Sequence, residues 1–185
     1  MTTDLVVRAQ AGDRDAFARL AADAIGRLDA VARLMTRDPE RAKDAVQETL
    51  VRAWRDLPAL RDPDKFDAWL RRLLIRACVD EMRRWRRRGV IEVELMELHH
   101  PSSADSTVSI ADRDALNRGF RRLDPDGRAL VVLVYYMGLP LIEAADSLEI
   151  PVGTAKSRLH RARETLRAAL EADARSNVVG EGRSA

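Results

Sequence analysis

The sequence contains few residues that break helices and only one that could form a disulfide. Its 185 residues include one cysteine, nine glycines and seven prolines, and aromatic residues make up 4%. A lone cysteine excludes an internal disulfide and a cysteine-based metal site, so Cys78 is expected to be a small buried side chain on a helix. No apolar run approaches the ~20 residues that span a bilayer, and the first twenty residues lack the apolar segment of a signal peptide. We therefore expect a soluble, cytoplasmic protein without membrane insertion.

The motifs of common enzyme and cofactor sites are also missing. The chain has no phosphate-binding glycine loop, dinucleotide fingerprint, nucleophile elbow or HExxH helix. His99 and His100 are adjacent and far from other ligands, and His160 stands alone on a predicted helix. The carboxylates lie opposite arginines on amphipathic stretches, so none is singled out as a catalytic acid or base. The sequence predicts no catalytic residue, no metal site and no cofactor, and the protein is not expected to be an enzyme.

Helical periodicity, in contrast, runs through most of the chain. Alanine, leucine and arginine recur at three- and four-residue spacing, and β-branched alternation is nearly absent. X-Pro steps, which disfavour helix at the preceding residue, mark most of the breaks. The pattern predicts an all-α protein with helices over residues 3–11, 14–37, 39–57, 64–87, 112–122, 126–137, 141–148 and 152–173.

The composition changes after Arg88. Residues 89–110 pass from mixed acidic and apolar to rich in serine, aspartate and threonine, which is typical of a linker. The sequence therefore predicts two small helical domains, at 1–88 and 111–173, joined by a flexible linker at 89–110. The polar tail at 174–185 is expected to be disordered.

Residues 141–170 are organised as a short helix, a tight turn and a longer helix that opens at Pro151. An apolar stripe on the longer helix is predicted to be buried: Ala155, Leu159, Ala162, Leu166 and Ala169. The opposite face is polar and flanked by cations, which suits a major groove, where Arg and Lys bond guanine edges and other cations hold phosphates. The shorter helix would brace it as in a helix-turn-helix. Periodicity alone is equally consistent with an ordinary surface helix.

The first half of the chain carries two further segments of interest. Residues 41–57 predict an amphipathic helix with mixed charge outside and Trp54 inside, which alone indicates only a surface helix. A loop at 58–65 precedes a helix with Trp69 in its apolar stripe and an arginine run at 83–88. Five arginines in six positions cannot all find acidic partners nearby, which favours a polyanion as ligand. Trp85, within the run, could stack on a base or pack on the linker.

Two of these segments resemble the extracytoplasmic-function (ECF) sigma factors of bacteria. IPVGTAKSRLHRARETLR is similar to their region 4 recognition helix, and DAVQETLVRAW is similar to their region 2.2 helix. The resemblance implies an alternative sigma factor that binds core RNA polymerase at the clamp of its β′ subunit and directs promoter recognition and opening. It further implies promoter DNA and an anti-sigma factor as partners.

The resemblance also implies three sets of site residues. The region 4 helix would bind the −35 element through Thr154, Lys156, Ser157, Arg158, His160, Arg161, Arg163 and Arg167. Region 2 would hold the opened −10 strand through Leu60, Arg61, Asp62, Arg76, Arg83, Arg84 and Arg87. The polymerase clamp would be met by Asp44, Gln47, Glu48 and Arg52.

Individual roles within these sets follow from chemistry. Lys156 and Arg161 are expected to reach base edges, and Thr154 is expected to bond a phosphate at the helix N-terminus, where the dipole favours anions. Phosphates are expected to pair with Arg158, Arg163 and Arg167.

The loop at 58–65 would capture a base flipped out of the non-template strand. Extruding a base costs a few kcal/mol, so such a loop must form a shaped pocket that bonds the base. Many relatives carry an asparagine in the following helix where this chain has Arg76, which leaves the captured base open.

Two other functions remain open on the sequence alone. A helix-turn-helix regulator could bind DNA without polymerase, with residues 1–88 sensing a ligand or partner. A helical adaptor could instead bind a protein partner and no nucleic acid. Co-purification with core polymerase would exclude the first, and salt-dependent DNA binding would exclude the second.

Overall fold

The structure is a computed structural model that describes the backbone of residues 2–87 and 110–181 and the side chains of residues 2–87 and 115–172. The chain divides into two compact units, Met1–Met96 and Glu97–Ala185. The described residues are helices and connecting turns, as the periodicity predicts. The predicted linker lies outside the described residues except for Ile110, which begins a helix.

Over its described residues, 2–87, the first unit contains four helices: α1 (Thr2–Gln10), α2 (Arg14–Thr36), α3 (Pro39–Asp56) and α4 (Phe66–Arg87). Helix α3 packs against both α2 and α4. Between α3 and α4 the chain makes two 3₁₀ turns, Leu57–Ala59 and Pro63–Lys65.

Aspartate side chains cap the starts of α2 and α3, because they accept hydrogen bonds from N–H groups that have no partner inside a helix. Asp13 accepts from the N–H groups of Asp15 and Ala16 at the start of α2. The bonds from the Ala16 N–H and the Arg8 side chain lower the pKa of Asp13. Asp38 caps α3 in the same way. Burial raises the pKa of Asp38, but hydrogen bonds from Arg41 outweigh it, and the net direction is downward.

The core of the first unit is aliphatic, with Met35, Leu57, Leu74 and Ile75 almost fully buried. Cys78 lies in this core, as predicted, and burial raises the pKa of its thiol to about 12. The prediction for Trp54 was wrong, because its ring is 38% exposed and packs edge-on against Phe17 of α2. Trp54 lies at the border of the buried face of α3, where a helical wheel does not determine whether its ring is buried or exposed.

Where the structure describes the second unit, it contains helices α5 to α8 and a π-helical turn. The helices are α5 (Ile110–Arg121), α6 (Pro125–Val131), α7 (Leu141–Ser147) and α8 (Val152–Glu181), and the turn is Val132–Tyr136. Helix α8 packs on the other three. Gly119 of α5 allows the closest approach, because a Cβ there would lie 3.0 Å from Leu166 and 3.2 Å from Ala169.

Most predicted helix bounds lie within two residues of the observed ones, and two segments differ by more. The predicted helix 126–137 is divided into α6 and the π-helical turn, and the segment ends at Gly138, whose φ of +69° favours glycine. Helix α8 continues to Glu181 through part of the predicted tail. No proline or glycine lies between Val152 and that end except Gly153 and Gly180, so nothing local stops the helix at residue 173.

Candidate nucleic-acid interface

The buried and exposed faces of α8 agree with the helical wheel. Ala155, Leu159, Ala162 and Ala169 are buried, and Leu166 is half-buried. On the outward side Thr154 is half-buried, and the exposed predicted −35 residues are Lys156, Ser157, His160, Arg161, Arg163 and Arg167. The Ser157 hydroxyl donates to the Thr154 carbonyl at 2.9 Å, so its oxygen still faces outward as an acceptor. This face therefore offers cations and hydroxyl groups together.

Arg158 has a different environment from the other cations of α8. Its guanidinium donates to the carboxylate of Asp126 on α6, and both side chains are half-buried. The bond ties α8 to α6 inside the unit. Arg158, predicted to contact a phosphate, already has a carboxylate partner in this structure.

Helix α7 braces α8 through small buried residues. Ala144 and Ala145 are fully buried and Leu148 is 5% exposed. The turn between the two helices passes through Glu149 in the left-handed region (φ 54°), and the Ile150 N–H bonds the Ala145 carbonyl at 3.1 Å. This arrangement is a helix-turn-helix with α8 as the outer, second helix.

The predicted −10 loop lies between α3 and α4 and is held by contacts between residues close in sequence. The Asp62 carboxylate accepts from the Asp64 N–H at 3.1 Å and pairs with Lys65 at 3.3 Å. Arg61 is exposed, and Leu60 and Asp62 are half-buried. The tip of the loop therefore presents one exposed cation beside a carboxylate that caps the second 3₁₀ turn.

Two side chains of α1 that the sequence did not single out reach this loop. The amide of Gln10 donates to the carbonyls of Leu57 (3.2 Å) and Leu60 (2.7 Å), and the Thr3 hydroxyl donates to Asp64 (2.7 Å). These contacts join residues 47 to 61 positions apart, so no local sequence pattern could have identified them.

The arginines of α4 only partly fit their prediction. Arg76, Arg84 and Arg87 are exposed and Arg83 is half-buried. Arg84 pairs with Glu81 at 3.3 Å, so an acidic partner one turn away does serve part of the run. Arg88 lies outside the described residues.

Trp85 has a neighbour that the sequence did not predict. The Arg41 guanidinium of α3 lies 4.3 Å above the Trp85 ring, at the distance of a cation–π contact. Trp69 is half-buried, with its ring 6.0 Å from that of Phe66.

The predicted polymerase-facing residues of α3 fall into two pairs. Asp44 and Gln47 are exposed, whereas Glu48 and Arg52 are half-buried. Arg52 bonds Glu48 at 2.6 Å and Asp80 of α4 at 3.3 Å, and the bond to Glu48 is the main cause of its raised pKa. The second pair therefore links α3 to α4.

An apolar groove of about 780 Å³ runs between α2 and α3 beside these residues. Exposed apolar side chains line it, with Ile25 48% and Val51 56% exposed, and Gln47 and Trp54 also belong to its wall. Exposed apolar patches rimmed by polar residues commonly mark protein-binding sites. The first unit thus has an open apolar surface next to the predicted polymerase-facing residues.

Neither a metal-binding cluster nor a membrane-spanning helix is present among the described residues. There, no three His, Cys, Asp or Glu side chains are grouped so as to hold a metal ion. Over the same part of the chain, no helix has both the length and the apolar character needed to cross a bilayer.

Together these features define a helical protein of the helix-turn-helix class with a second helical unit of its own. The family model for sigma-70 region 2 matches residues 21–88, and the model for sigma-70 region 4 matches residues 113–166. The chain belongs to the sigma-70 family, in its ECF group.

Named relatives support this assignment along most of the chain. The ECF RNA polymerase sigma factor SigM of Mycobacterium tuberculosis is 34% identical over 163 residues, which cover 88% of this chain and 81% of that protein. The RNA polymerase sigma-E factor of Streptomyces coelicolor is 35% identical, covering 76% and 78%. SigW of Bacillus subtilis is 29% identical, covering 84% and 89%.

Two solved structures are similar as well. CnrH in complex with the cytosolic domain of CnrY has a TM-score of 0.57 and 30% identity, covering 93% of this chain and 98% of that one. The sigma factor RpoE in complex with the anti-sigma factor NepR from Bartonella quintana has a TM-score of 0.61 and 28% identity, covering 84% and 96%.

Proposed function

We propose that the chain is an alternative sigma factor that binds core RNA polymerase and directs promoter recognition and opening. The observation that carries the proposal is the braced helix α8, whose buried back is made of small apolar residues and whose exposed face carries cations. A regulator without polymerase would have no use for the region 2 match at residues 21–88. Any catalysis belongs to the polymerase, and the site of action is the cytoplasm.

The −35 contacts are assigned to the exposed residues of α8. Lys156 and Arg161 would read base edges, because both are exposed and can fork onto guanine. Arg163 and Arg167 would hold phosphates, and Thr154, Ser157 and His160 would support them. Arg158 is a weaker candidate for a phosphate contact, because its charge is already paired with the carboxylate of Asp126.

The −10 contacts are assigned to the loop tip and to four arginines of α4. The tip would capture a flipped base in a pocket formed by Leu60, Arg61 and Asp62. The single strand is polyanionic, and the arginines of α4 would hold its phosphates. This set comprises Arg76, Arg83, Arg84 and Arg87.

The polymerase clamp is assigned to the α2–α3 groove and its rim. The groove gives apolar area and includes Gln47 in its wall, and the exposed Asp44 would add a polar contact three residues earlier on α3. Glu48 and Arg52 would set the angle between α3 and α4 beneath that surface.

The domain limits are proposed as 1–88 for region 2, 89–110 for the linker, 111–173 for region 4 and 174–185 for the tail. Both compared structures are complexes, one of them with an anti-sigma factor. We propose that an anti-sigma factor also binds this chain.

The test is transcription in vitro with core RNA polymerase and the purified chain. Start sites mapped after overexpression supply the template, because aligned upstream DNA shows both promoter elements. The expected result is a transcript that needs both the chain and the core enzyme. Failure of the core enzyme to bind the chain, or to start RNA synthesis with it, would overturn the proposal.

A further inference from the structure

Gln10, at the end of α1, contacts the predicted −10 loop at two points. Its half-buried amide nitrogen lies 3.2 Å from the Leu57 carbonyl and 2.7 Å from the Leu60 carbonyl. A primary amide has two N–H donors, so both bonds form at once. The two bonds therefore link the C-terminal end of α1 to both ends of the 3₁₀ turn Leu57–Ala59.

That turn leads directly into the tip of the loop. The Leu60 N–H donates to the Leu57 carbonyl at 3.0 Å, and the next residues are Arg61 and Asp62. A tip without such a link would lose conformational entropy when it closes around a base, and Gln10 removes that freedom beforehand. The turn is therefore ordered by a side chain far away in sequence.

Helix α1 also contacts the loop beyond the tip. The Thr3 hydroxyl donates to the Asp64 carboxylate at 2.7 Å, in an exposed position. The two contacts lie on either side of residues 61 and 62 along the chain, so α1 fixes the loop before and after its tip. Water competes for the exposed bond, which makes Gln10 the stronger of the two contacts.

We propose that Gln10 is a positioning residue for −10 recognition, which holds the loop at 57–65 in the shape that selects the captured base. It acts through the backbone of the loop and does not itself touch DNA. The inference rests on the proposed function for its role in transcription, whereas its effect on the loop can be measured without that function.

The direct test is hydrogen exchange on the full chain carrying Gln10→Met, which keeps the length of the side chain and removes both donors. Peptides covering residues 57–65 should exchange about fivefold faster, as expected for the loss of two part-buried hydrogen bonds. Thr3→Val should have a smaller effect. Unchanged exchange in Gln10→Met would overturn the proposal.

The control separates positioning from general stability. Val6 is fully buried on the same helix and its side chain has no hydrogen-bonding group, so Val6→Ala lowers the stability of the first unit without removing a hydrogen bond to the loop. All three tryptophans lie at positions 54, 69 and 85, so their fluorescence reports the stability of this unit for both variants.

The functional test compares templates that differ in one −10 base, with saturating sigma factor. Gln10→Met should reduce the preference for the best base about fivefold, while −35 preference and core-polymerase binding stay unchanged. Val6→Ala should keep the preference. Equal loss in both variants, or no loss in Gln10→Met, would overturn the proposal. If the wild-type chain gives no transcript, the proposed function fails instead, and hydrogen exchange still decides the effect on the loop.

Discussion

Arg158 and Arg161 lie three residues apart on α8 and have different surroundings. Arg158 is half-buried against Asp126, whereas Arg161 is exposed on the outward face. A helical wheel places both among the cations of one helix, because it contains no information about the neighbouring helix. The positions of the cations were predictable from the sequence, and the partner of Arg158 was not.

Replacing Arg161 with Ala should cost ~1–3 kcal/mol of binding at one −35 position and relax the base preference there. The reason is the loss of a forked contact with a base edge. Binding to a set of −35 sequences, measured at one salt concentration, checks this. Equal weakening on every sequence would assign Arg161 to a phosphate.

Arg158→Ala is the matched control on the same helix. It removes the part-buried pair with Asp126 and should lower the free energy of unfolding of the second unit by about 1 kcal/mol. Base preference should be unchanged. Loss of the preference at one position would show that Arg158 reads DNA despite its partner.

Cys78 should resist thiol reagents in the folded protein at pH 8. Burial raises the pKa of its thiol to about 12 from an ordinary 9.0, so the unfolded chain releases this proton first. Stability should therefore fall as the pH rises above 9, which is the direction expected for a raised pKa. Unfolding curves of the wild type and Cys78→Ala between pH 8 and 10.5 test this. An identical pH dependence in both would contradict it.

At the scale of helices, the sequence predicted two helix starts closely because Asp-Pro steps combine a capping carboxylate with a proline. Helix α3 after Asp38 and α6 after Asp124 begin in this way. What could not be predicted were contacts between helices, such as Arg41 over Trp85 and Gln10 at the loop. Such contacts depend on how helices pack, which a local pattern does not encode.

Asp38→Ala should lower the free energy of unfolding of the first unit by about 1 kcal/mol, because two N–H groups of α3 lose their acceptor. Asp38→Asn keeps an acceptor and should retain most of the stability at neutral pH. The lowered pKa of Asp38 means that its ionic contribution is present above pH 3.8 and is lost as the pH falls below it. Urea unfolding followed by tryptophan fluorescence measures both variants, and equal stability of Asp38→Ala and wild type would contradict the capping role.

At the scale of the whole molecule, the two units carry different surfaces. The first has an apolar groove and a loop held by α1, and the second has an outward cationic helix. The proposed −10 and −35 contacts would reinforce each other, because the predicted linker would raise the effective concentration of the second contact to about the millimolar range once the first has formed. The sequence predicted which residues of α3 face outward beside the groove. It did not predict the groove itself, because the groove forms only where α2 packs next to α3.

Val51→Glu should weaken binding to core polymerase without weakening binding to DNA. Val51 is 56% exposed in the groove, and docking there would bury the new carboxylate, which should weaken binding to core polymerase on the order of tenfold or more. The fold and the salt-dependent binding to −35 DNA should remain, because α8 belongs to the other unit.

Val7→Glu is the control for that variant, since Val7 is 51% exposed on α1 and is not part of the groove wall. It places the same charge on the same unit and should leave the affinity for core polymerase unchanged. Affinity is measured by titrating labelled chain with core enzyme, and transcription from the mapped promoter should fall in parallel only for Val51→Glu. If both variants bind core polymerase as well as the wild type does, the polymerase binds another surface of the chain. If both lose binding, the effect comes from added negative charge rather than from the apolar surface.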